Sequence, residues 1–246
     1  YADRLYQITL AIAGIAVGTV ILPELSKKIK LNNYKLAQDL QSRSINLCLF
    51  ISLPAAAGLY IASYDIVNAL FGYGSFTETS VKNTSAALKF FAIGIPAFAL
   101  LKIFSSFYFA RNNTQTPFHL SAIVVVINLV LSIYLFRIIG FIAIPIATTV
   151  STWIIVFAYI FKFVEKDIHK FDNIFFRKII KMFLSSTLMA IFLIYMISFL
   201  ADKLIYDSSL KILYLFSIVG LSIVVYFLIS VLIGSIKFSK KKSIII

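Results

Sequence analysis

Few residues of this sequence could bind a charged ligand, and they lie beside or within long apolar stretches. Asp3 and Arg4 are at the start of the first stretch, whereas Lys89 and Lys102 lie inside a later one. A charge in membrane hydrocarbon costs at least about 2.5–3.5 kcal/mol, so such residues face protein or water or extend to the lipid head groups. The positions of Arg4 and Lys102 near the ends of apolar stretches favour extension to the head groups, while Lys89 lies deeper.

Three neutral side chains could bring oxygen atoms together. Asn128 and Ser132 are one helical turn apart, and Thr148 follows in the next apolar stretch. Their oxygen atoms could converge on a small cation. Because the trio contains no carboxylate to offset the dehydration of a cation, hydrogen bonding between helices is the favoured prediction.

Catalytic and metal-binding patterns are not visible in the sequence. His119 and His169 are isolated, Cys48 is the single cysteine, and the glycines form no phosphate-binding loop with a lysine. We therefore predict that the protein is not an enzyme and holds no cofactor.

The elements that must position these residues follow from composition. Of 246 residues, 61% are hydrophobic and 13% are charged, against roughly 45–50% and 25% in a typical soluble domain. The apolar stretches are long enough to cross a bilayer as helices and lack the alternation of a membrane barrel. We predict an all-α, polytopic transmembrane helical bundle over residues 1–246, with seven spans near 5–25, 44–64, 83–108, 118–136, 140–161, 179–200 and 210–235.

The charge distribution predicts the orientation of these spans. The net charge is +13, and most of the 23 lysines and arginines fall in connections 27–43, 109–117 and 162–181 and in the C-terminal tail. Basic connections lie on the cytoplasmic side of a membrane, so residue 1 is expected outside and the C-terminus inside. This spacing indicates membrane lipids as partners and excludes a nucleic-acid surface.

Two of the basic connections show signs of helical structure. Ile168, Phe171, Phe175 and Ile179 recur at helical spacing, which is typical of an amphipathic helix on the bilayer surface. A solvated loop with incidental apolar residues explains the pattern equally well. Segment 33–43 is a second candidate for a short surface helix, with Asn33 as its N-cap.

Three prolines, Pro54, Pro96 and Pro145, are predicted to lie in the middle of separate spans. Each would remove one backbone donor and kink its helix, as in transporters whose helices bend. The run from Pro54 to Gly58 (PAAAG) favours close helix packing, although small residues could also line a cavity.

Several stretches resemble one known family. They are Tyr1 to Gln7 (YADRLYQ), Gly14 to Ser26 (GIAVGTVILPELS), Leu70 to Phe76 (LFGYGSF), and Phe107 to Arg111 (FYFAR) followed by Thr114, Thr116 and Pro117. The first two are similar to the eighth transmembrane helix of the MurJ/MviN family, the bacterial lipid II flippases. The resemblance runs along the whole chain, but only these stretches are specific.

The resemblance implies an architecture larger than this chain. The family has fourteen transmembrane helices in two lobes, belongs to the superfamily of MATE exporters and polysaccharide flippases, and works by alternating access. This chain resembles helices eight to fourteen. We therefore expect a fragment of a bacterial inner-membrane flippase of lipid II, the polyprenyl-linked precursor of peptidoglycan, whose partner is the missing N-terminal lobe.

The resemblance also implies roles for residues. Arg4 corresponds to a cavity arginine that engages the pyrophosphate of lipid II, with Asp3 beside it, while Lys102 stays undecided. Leu184 to Leu200 and Leu213 to Ile233 correspond to helices that form a groove for the polyprenyl tail. Asn128 and Thr148 match positions of a sodium site in some members, but Ser132 stands where a carboxylate would strengthen binding. Sodium coupling is therefore in doubt.

Two alternatives stay open. Another transporter of the superfamily, moving a different polyprenyl-linked glycan or a drug, would share the hydropathy but lack the Ala-Asp-Arg-Leu and Phe-Tyr-Phe-Ala-Arg stretches. A membrane enzyme or an assembly scaffold is the other alternative. An enzyme should cluster His, Asp or Glu at one membrane face, and this sequence does not.

Overall fold

Apolar helices make up nearly all of the structure. The computed structural model describes residues 1–11, 16–166, 168–169, 171–205, 210–235, 237–238 and 244–245. In these ranges the helices are α1 (Ala2–Leu10), α2 (Ala16–Lys30), α3 (Tyr34–Ile61), α4 (Ser63–Phe71), α5 (Glu78–Phe109), α6 (Gln115–Ile139), α7 (Ala143–Glu165), α8 (Asn173–Phe199) and α9 (Lys211–Leu232). Two 3-10 turns are Gly140–Ile142 and Ala201–Lys203, and the two-residue strands β1 (Lys237–Phe238) and β2 (Ile244–Ile245) pair antiparallel in the tail.

Polar side chains define several helix starts. Asn33 Oδ1 accepts a hydrogen bond from the Leu36 amide at 3.3 Å, and Thr77 Oγ1 accepts from Ser80 at 3.3 Å. Asp172 Oδ1 accepts from the Phe175 amide at 2.7 Å. Each satisfies a donor that the first turn leaves unpaired. Gly140 ends α6 with a φ of 64°, where a side chain would be strained, and the chain reverses there into α7.

Membrane-length helices agree with most of the predicted spans. Within the described residues, five segments are long and apolar enough to cross a membrane, namely Tyr34–Ile61, Glu78–Phe109, Gln115–Glu165, Asn173–Phe199 and Lys211–Leu232. The third has 51 residues and comprises α6 and α7. The first predicted span, 5–25, is represented by α1 and α2, but residues 12–15, including Gly14 of the family-like motif, lie outside the described ranges.

Neither interpretation of the apolar pattern in 168–179 is right. Residues 168–169 and 171–172 are not helical, and α8 begins at Asn173 as part of a long helix. Ile168 and Phe175 are buried in the main core instead of facing lipid or solvent. Likewise, Asn33 is an N-cap as predicted, but it caps the 28-residue α3 and not a separate surface helix.

The prolines do not all lie in the middle of helices. Pro54 and Pro96 are inside α3 and α5. Pro145 is the third residue of α7, where a backbone N–H has no partner within the helix. The prediction of a mid-helix break at Pro145 is therefore wrong.

The main core lies between α3, α5 and α7, with α2 and α8 packed around it. Its fully buried members include Leu25, Cys48, Ile103, Phe107 and Tyr159. Many apolar residues of α6 are exposed, among them Val125, Leu129 and Ile133, as suits a helix that faces lipid.

The connections meet at two opposite ends of the bundle. At the basic end, which holds the connections after α2, α5 and α7, Arg111 hydrogen-bonds the Ile168 carbonyl and Ser42 lies against His169. At the opposite end, Asn68 of α4 donates to the carbonyl of Leu204, which follows α8. The described connections after α2, α5 and α7 thus lie at one end of the bundle, and those after α4 and α8 lie at the other.

Candidate substrate-binding site

One face of α1 packs on α5 and leaves the other face open. Tyr6 stacks on Phe91 with ring centroids 4.6 Å apart and contacts Phe98 at 5.2 Å, while Leu5 is buried beside them. With 3.6 residues per turn, Arg4 falls on the other side of the helix, where it is exposed. The packing of α1 thus presents the guanidinium away from the core.

The Arg4 guanidinium is not neutralised by its neighbours. In the part of the chain that the structure describes, it has no hydrogen-bond or ion-pair partner. Asp3 accepts a hydrogen bond from Gln7 Nε2 at 2.5 Å, so its carboxylate is engaged one turn along the helix. The donors of Arg4 are therefore available to an external anion.

The two lysines of α5 are not gathered around Arg4. Lys89 and Lys102 are both exposed, but they are thirteen residues apart and so lie on roughly opposite faces of the helix. Lys102 is also about 16 Å along the axis from Phe91, which marks the depth at which α1 packs. The role of Lys102 therefore stays undecided.

An apolar cavity of about 410 Å³ lies between α1, α3, α4, α8 and α9. The helices that resemble the tail groove contribute Met189 and Leu193 from α8 and Val219, Ile223 and Phe227 from α9. The opposite wall is α3, which contributes Phe50, Ile51, Pro54, Ala55, Gly58 and Leu59, and α1 adds Thr9. The small residues after Pro54 therefore line a cavity, as their composition allowed.

The neutral trio forms a hydrogen-bonded chain between α6 and α7. Asn128 Nδ2 donates to Thr148 Oγ1 at 3.0 Å, and Ser132 donates to Asn128 Oδ1 at 3.0 Å. Thr148 in turn donates to the Ile144 carbonyl at 2.9 Å. The predicted interhelical hydrogen bonding is confirmed.

These three residues do not by themselves fit a sodium ion. Their oxygens already take part in hydrogen bonds with one another. The only carboxylate in α6 and α7 is Glu165, the last residue of α7, about 25 Å along the axis from Thr148. A cation would require oxygen ligands from elsewhere.

A buried polar cluster at the basic end was not predicted. Arg111 donates to the carbonyls of Phe107 at 2.8 Å and Ile168 at 3.3 Å. Gln41, which is fully buried, accepts from Arg111 Nη1 at 3.0 Å and donates to the Ile168 carbonyl at 3.0 Å in the amide orientation that satisfies both partners. The cluster attaches the connection between α7 and α8 to α3 and α5.

His169 belongs to the same cluster and is kept neutral. Its side chain is 1% exposed, and Nε2 lies 3.4 Å from Ser42 Oγ. Burial lowers the pKa of His169 to about 4; the charge of Asp172 opposes this shift and that of Arg111 adds to it. Burial also lowers the pKa of Arg111. This polar cluster has only a weak signal in the sequence, because an isolated histidine or glutamine does not reveal its distant partners.

A buried lysine fastens α9 at the opposite end. Lys211 Nζ donates to Asn68 Oδ1 at 3.2 Å and to the Gly72 carbonyl at 2.9 Å, and it lies 4.3 Å from the centroid of the Tyr73 ring. Gly72 and Tyr73 belong to the family-like stretch LFGYGSF, so this part of the motif serves helix attachment.

Comparisons with known proteins agree along almost the whole chain. A family model described as "Lipid II flippase MurJ" matches residues 1–235. A probable lipid II flippase MurJ of Rhizobium tropici is 40% identical over 154 residues, which cover 63% of this chain and 29% of that protein. Its counterpart in Buchnera aphidicola subsp. Schizaphis graminum (strain Sg) is 27% identical over 226 residues, covering 92% of this chain and 44% of the relative.

A solved structure has the same fold. It is titled "Lipid II flippase MurJ, inward closed conformation", and it superimposes with a TM-score of 0.78 at 25% identity over 94% of this chain and 45% of that chain. The chain studied therefore spans less than half the length of these matched proteins.

Proposed function

Because the chain belongs to the MurJ family of lipid II flippases, we propose that it forms one lobe of a flippase that moves lipid II across the bacterial inner membrane. The observation that carries this proposal is the unneutralised Arg4 on the same helix that lines an apolar cavity. A substrate with an anionic head and an apolar tail needs both surfaces. Alternating access by rocking of two lobes supplies the movement, and no covalent step is required.

The head group is proposed to bind at Arg4. A guanidinium carries a permanent charge and can direct two parallel N–H donors at one phosphate, which suits a pyrophosphate. The exposed position of Arg4 supports this role. Asp3, engaged by Gln7, keeps its negative charge beside the site and limits how strongly the phosphate is held.

The polyprenyl tail is proposed to enter the apolar cavity. Thr9, which lines the cavity, is five residues beyond Arg4, so the two lie about 7.5 Å apart along the axis of α1. The two residues are also about 140° apart around the helix, so an amphiphile that contacts both must pass around α1. The cavity takes part of a long chain, and the remainder stays in the bilayer.

The lobe is proposed to contribute seven spans, equivalent to helices eight to fourteen of the family. In this arrangement α1 and α2 belong to the first span, and the basic end faces the cytoplasm because of its lysines and arginines. Residue 1 is then periplasmic. The proposed partner is the N-terminal lobe of the same protein, which completes the cavity that Lys102 is proposed to face. The lobe formed by this chain is not expected to transport by itself.

Coupling to sodium stays a prediction. Asn128, Ser132 and Thr148 supply only neutral oxygens, so a sodium site here requires a ligand from the other lobe. Sodium-independent transport by the full-length protein would contradict it.

The experiment that tests the proposed function uses the full-length protein in liposomes. Arg4→Ala should reduce lipid II translocation by at least tenfold, while insertion and amount of protein stay unchanged. Arg137→Ala, which removes an exposed arginine from the end of α6, is the matched control and should transport normally. Normal translocation by Arg4→Ala would refute the role of this residue.

The rival transporters are separated by a rescue experiment. Cells depleted of their own lipid II flippase should grow when they express the full-length wild-type protein. Absence of rescue by a well-expressed protein would favour transport of a different polyprenyl-linked glycan or a drug.

A further inference from the structure

A proline in α3 leaves one backbone carbonyl without its usual partner. In an α-helix the N–H of residue 54 would donate to the Phe50 carbonyl, but Pro54 has no N–H. The hydroxyl of Tyr226 in α9 donates to this carbonyl instead, at 2.8 Å. Phe50 and Tyr226 are 4% and 3% exposed, so water cannot easily replace this bond.

This hydrogen bond lies at the inner limit of the apolar cavity. The cavity wall on α3 extends from Leu59 to Phe50, and the wall on α9 extends from Val219 to Phe227. The ring of Phe50 contacts the rings of Tyr226 at 5.0 Å and of Phe227 at 5.6 Å. These three aromatic side chains line the cavity at its end on the N-terminal half of α3.

The same bond attaches α9 to α3, and the Tyr226 hydroxyl also lies within hydrogen-bonding reach of Ser186 in α8 and of Ser230. The backbone of α9 packs closely against α8 and α4, and Lys211 attaches its first turn to α4. Tyr226 is the attachment to α3, four turns further along. The cavity lies between these two points, so its width depends on both.

We propose that Tyr226 is a positioning residue that holds α9 against the proline-freed carbonyl of α3 and so fixes the size of the cavity for an isoprenoid chain. The identity of the occupant rests on the proposed function. Pro54 and Tyr226 act as a pair in this inference: the proline creates the acceptor, and the tyrosine uses it.

A double-mutant cycle tests the pair in the full-length protein in nanodiscs. The variants are Tyr226→Phe, Pro54→Ala and their combination, and the probe is undecaprenyl pyrophosphate. Loss of one buried hydrogen bond is expected to weaken probe binding by Tyr226→Phe about three- to tenfold. In the Pro54→Ala background the alanine N–H supplies the partner of the Phe50 carbonyl, so Tyr226→Phe should then weaken probe binding less than it does beside Pro54, because only the contacts of the hydroxyl with Ser186 and Ser230 are left to lose.

Two controls separate positioning from general damage. Tyr195→Phe removes the hydroxyl of an exposed tyrosine on α8 and should leave binding unchanged. Inorganic pyrophosphate, which has no tail, should compete equally well in wild-type protein and in Tyr226→Phe.

The outcomes are distinct. The inference is overturned if Tyr226→Phe does not weaken probe binding, or if it weakens probe binding equally with Pro54 and with Pro54→Ala. Either result leaves the proposed function intact. Weaker competition by inorganic pyrophosphate in Tyr226→Phe would also overturn it, because the effect would then reach the head-group site. A wild-type protein that does not bind undecaprenyl pyrophosphate would instead overturn the proposed function and the isoprenoid occupant with it.

Discussion

Arg4 and Arg111 both lie in stretches that resemble the same family, yet the fold uses them in opposite ways. Arg4 is exposed at one end of the bundle and has no hydrogen-bond or ion-pair partner among the described residues. Arg111, at the other end, is half-buried and donates to two backbone carbonyls and to Gln41. An arginine in a family-like stretch therefore does not by that fact bind the substrate.

The two arginines differ in whether their guanidinium N–H groups are available to bind a ligand. An arginine can hold a phosphate only with N–H groups that are not already engaged. Arg111 would have to release the Phe107 and Ile168 carbonyls to bind an anion; the Ile168 carbonyl would keep Gln41 as a donor, but the Phe107 carbonyl would lose its charged partner. Arg4 has no such cost, so it is the better candidate for substrate binding.

The largest expected effect is the loss of stability in Arg111→Ala. Two carbonyls and the buried Gln41 would lose their charged partner, and we expect the free energy of unfolding to fall by about 3 kcal/mol. Thermal unfolding of the full-length protein in detergent measures this change. Arg4→Ala is the matched control, and its Tm should equal that of the wild type; a similar loss in both variants would erase the contrast.

A smaller loss of stability is expected at acidic pH, and it comes from His169 in the polar cluster around Arg111. The pKa of His169 is about 4 in the folded protein and about 6.5 in an unfolded chain. Between these values the unfolded state binds the additional proton, so stability is complete above pH 6.5 and is lost as the pH falls toward 4. At pH 5 we expect a loss of about 1–2 kcal/mol relative to pH 7.5.

The variant His169→Gln identifies the source of this acid sensitivity. Its unfolding free energy should change less between pH 7.5 and pH 5 than that of the wild type, whereas Arg4→Ala should keep the wild-type pH dependence. If His169→Gln loses as much stability between pH 7.5 and pH 5 as the wild type does, other titrating groups cause the acid sensitivity.

The smallest expected effect concerns the charge beside Arg4. Asp3→Asn keeps an oxygen that can accept from Gln7 but removes the negative charge, so undecaprenyl pyrophosphate should bind about twofold more tightly. The gain should shrink in 0.5 M salt because the charges are exposed. Weaker binding in low salt would indicate that the Asp3 charge itself helps to hold the head group.

Much of the fold could be predicted because hydropathy and charge act locally. Long apolar stretches predicted the helices, and Asn33 was identified as a cap. The connection between α7 and α8 was not predicted, because the pattern of Ile168 and Phe175 is the same whether they face a bilayer or a protein core. The sodium-binding and substrate-binding roles of the site residues stay predictions.

The sequence by itself determined that this protein is an α-helical membrane protein of the MurJ family and that Arg4 lies near the N-terminal end of an apolar stretch. Only the tertiary structure decided which polar groups are used internally. Gln41, Arg111 and Ile168 are far apart in the chain, as are Phe50 and Tyr226, and their hydrogen bonds form only when the helices pack. The physical reason is that a buried hydrogen bond needs a partner at about 3 Å, and spacing along the chain fixes that distance only within a helix or a turn.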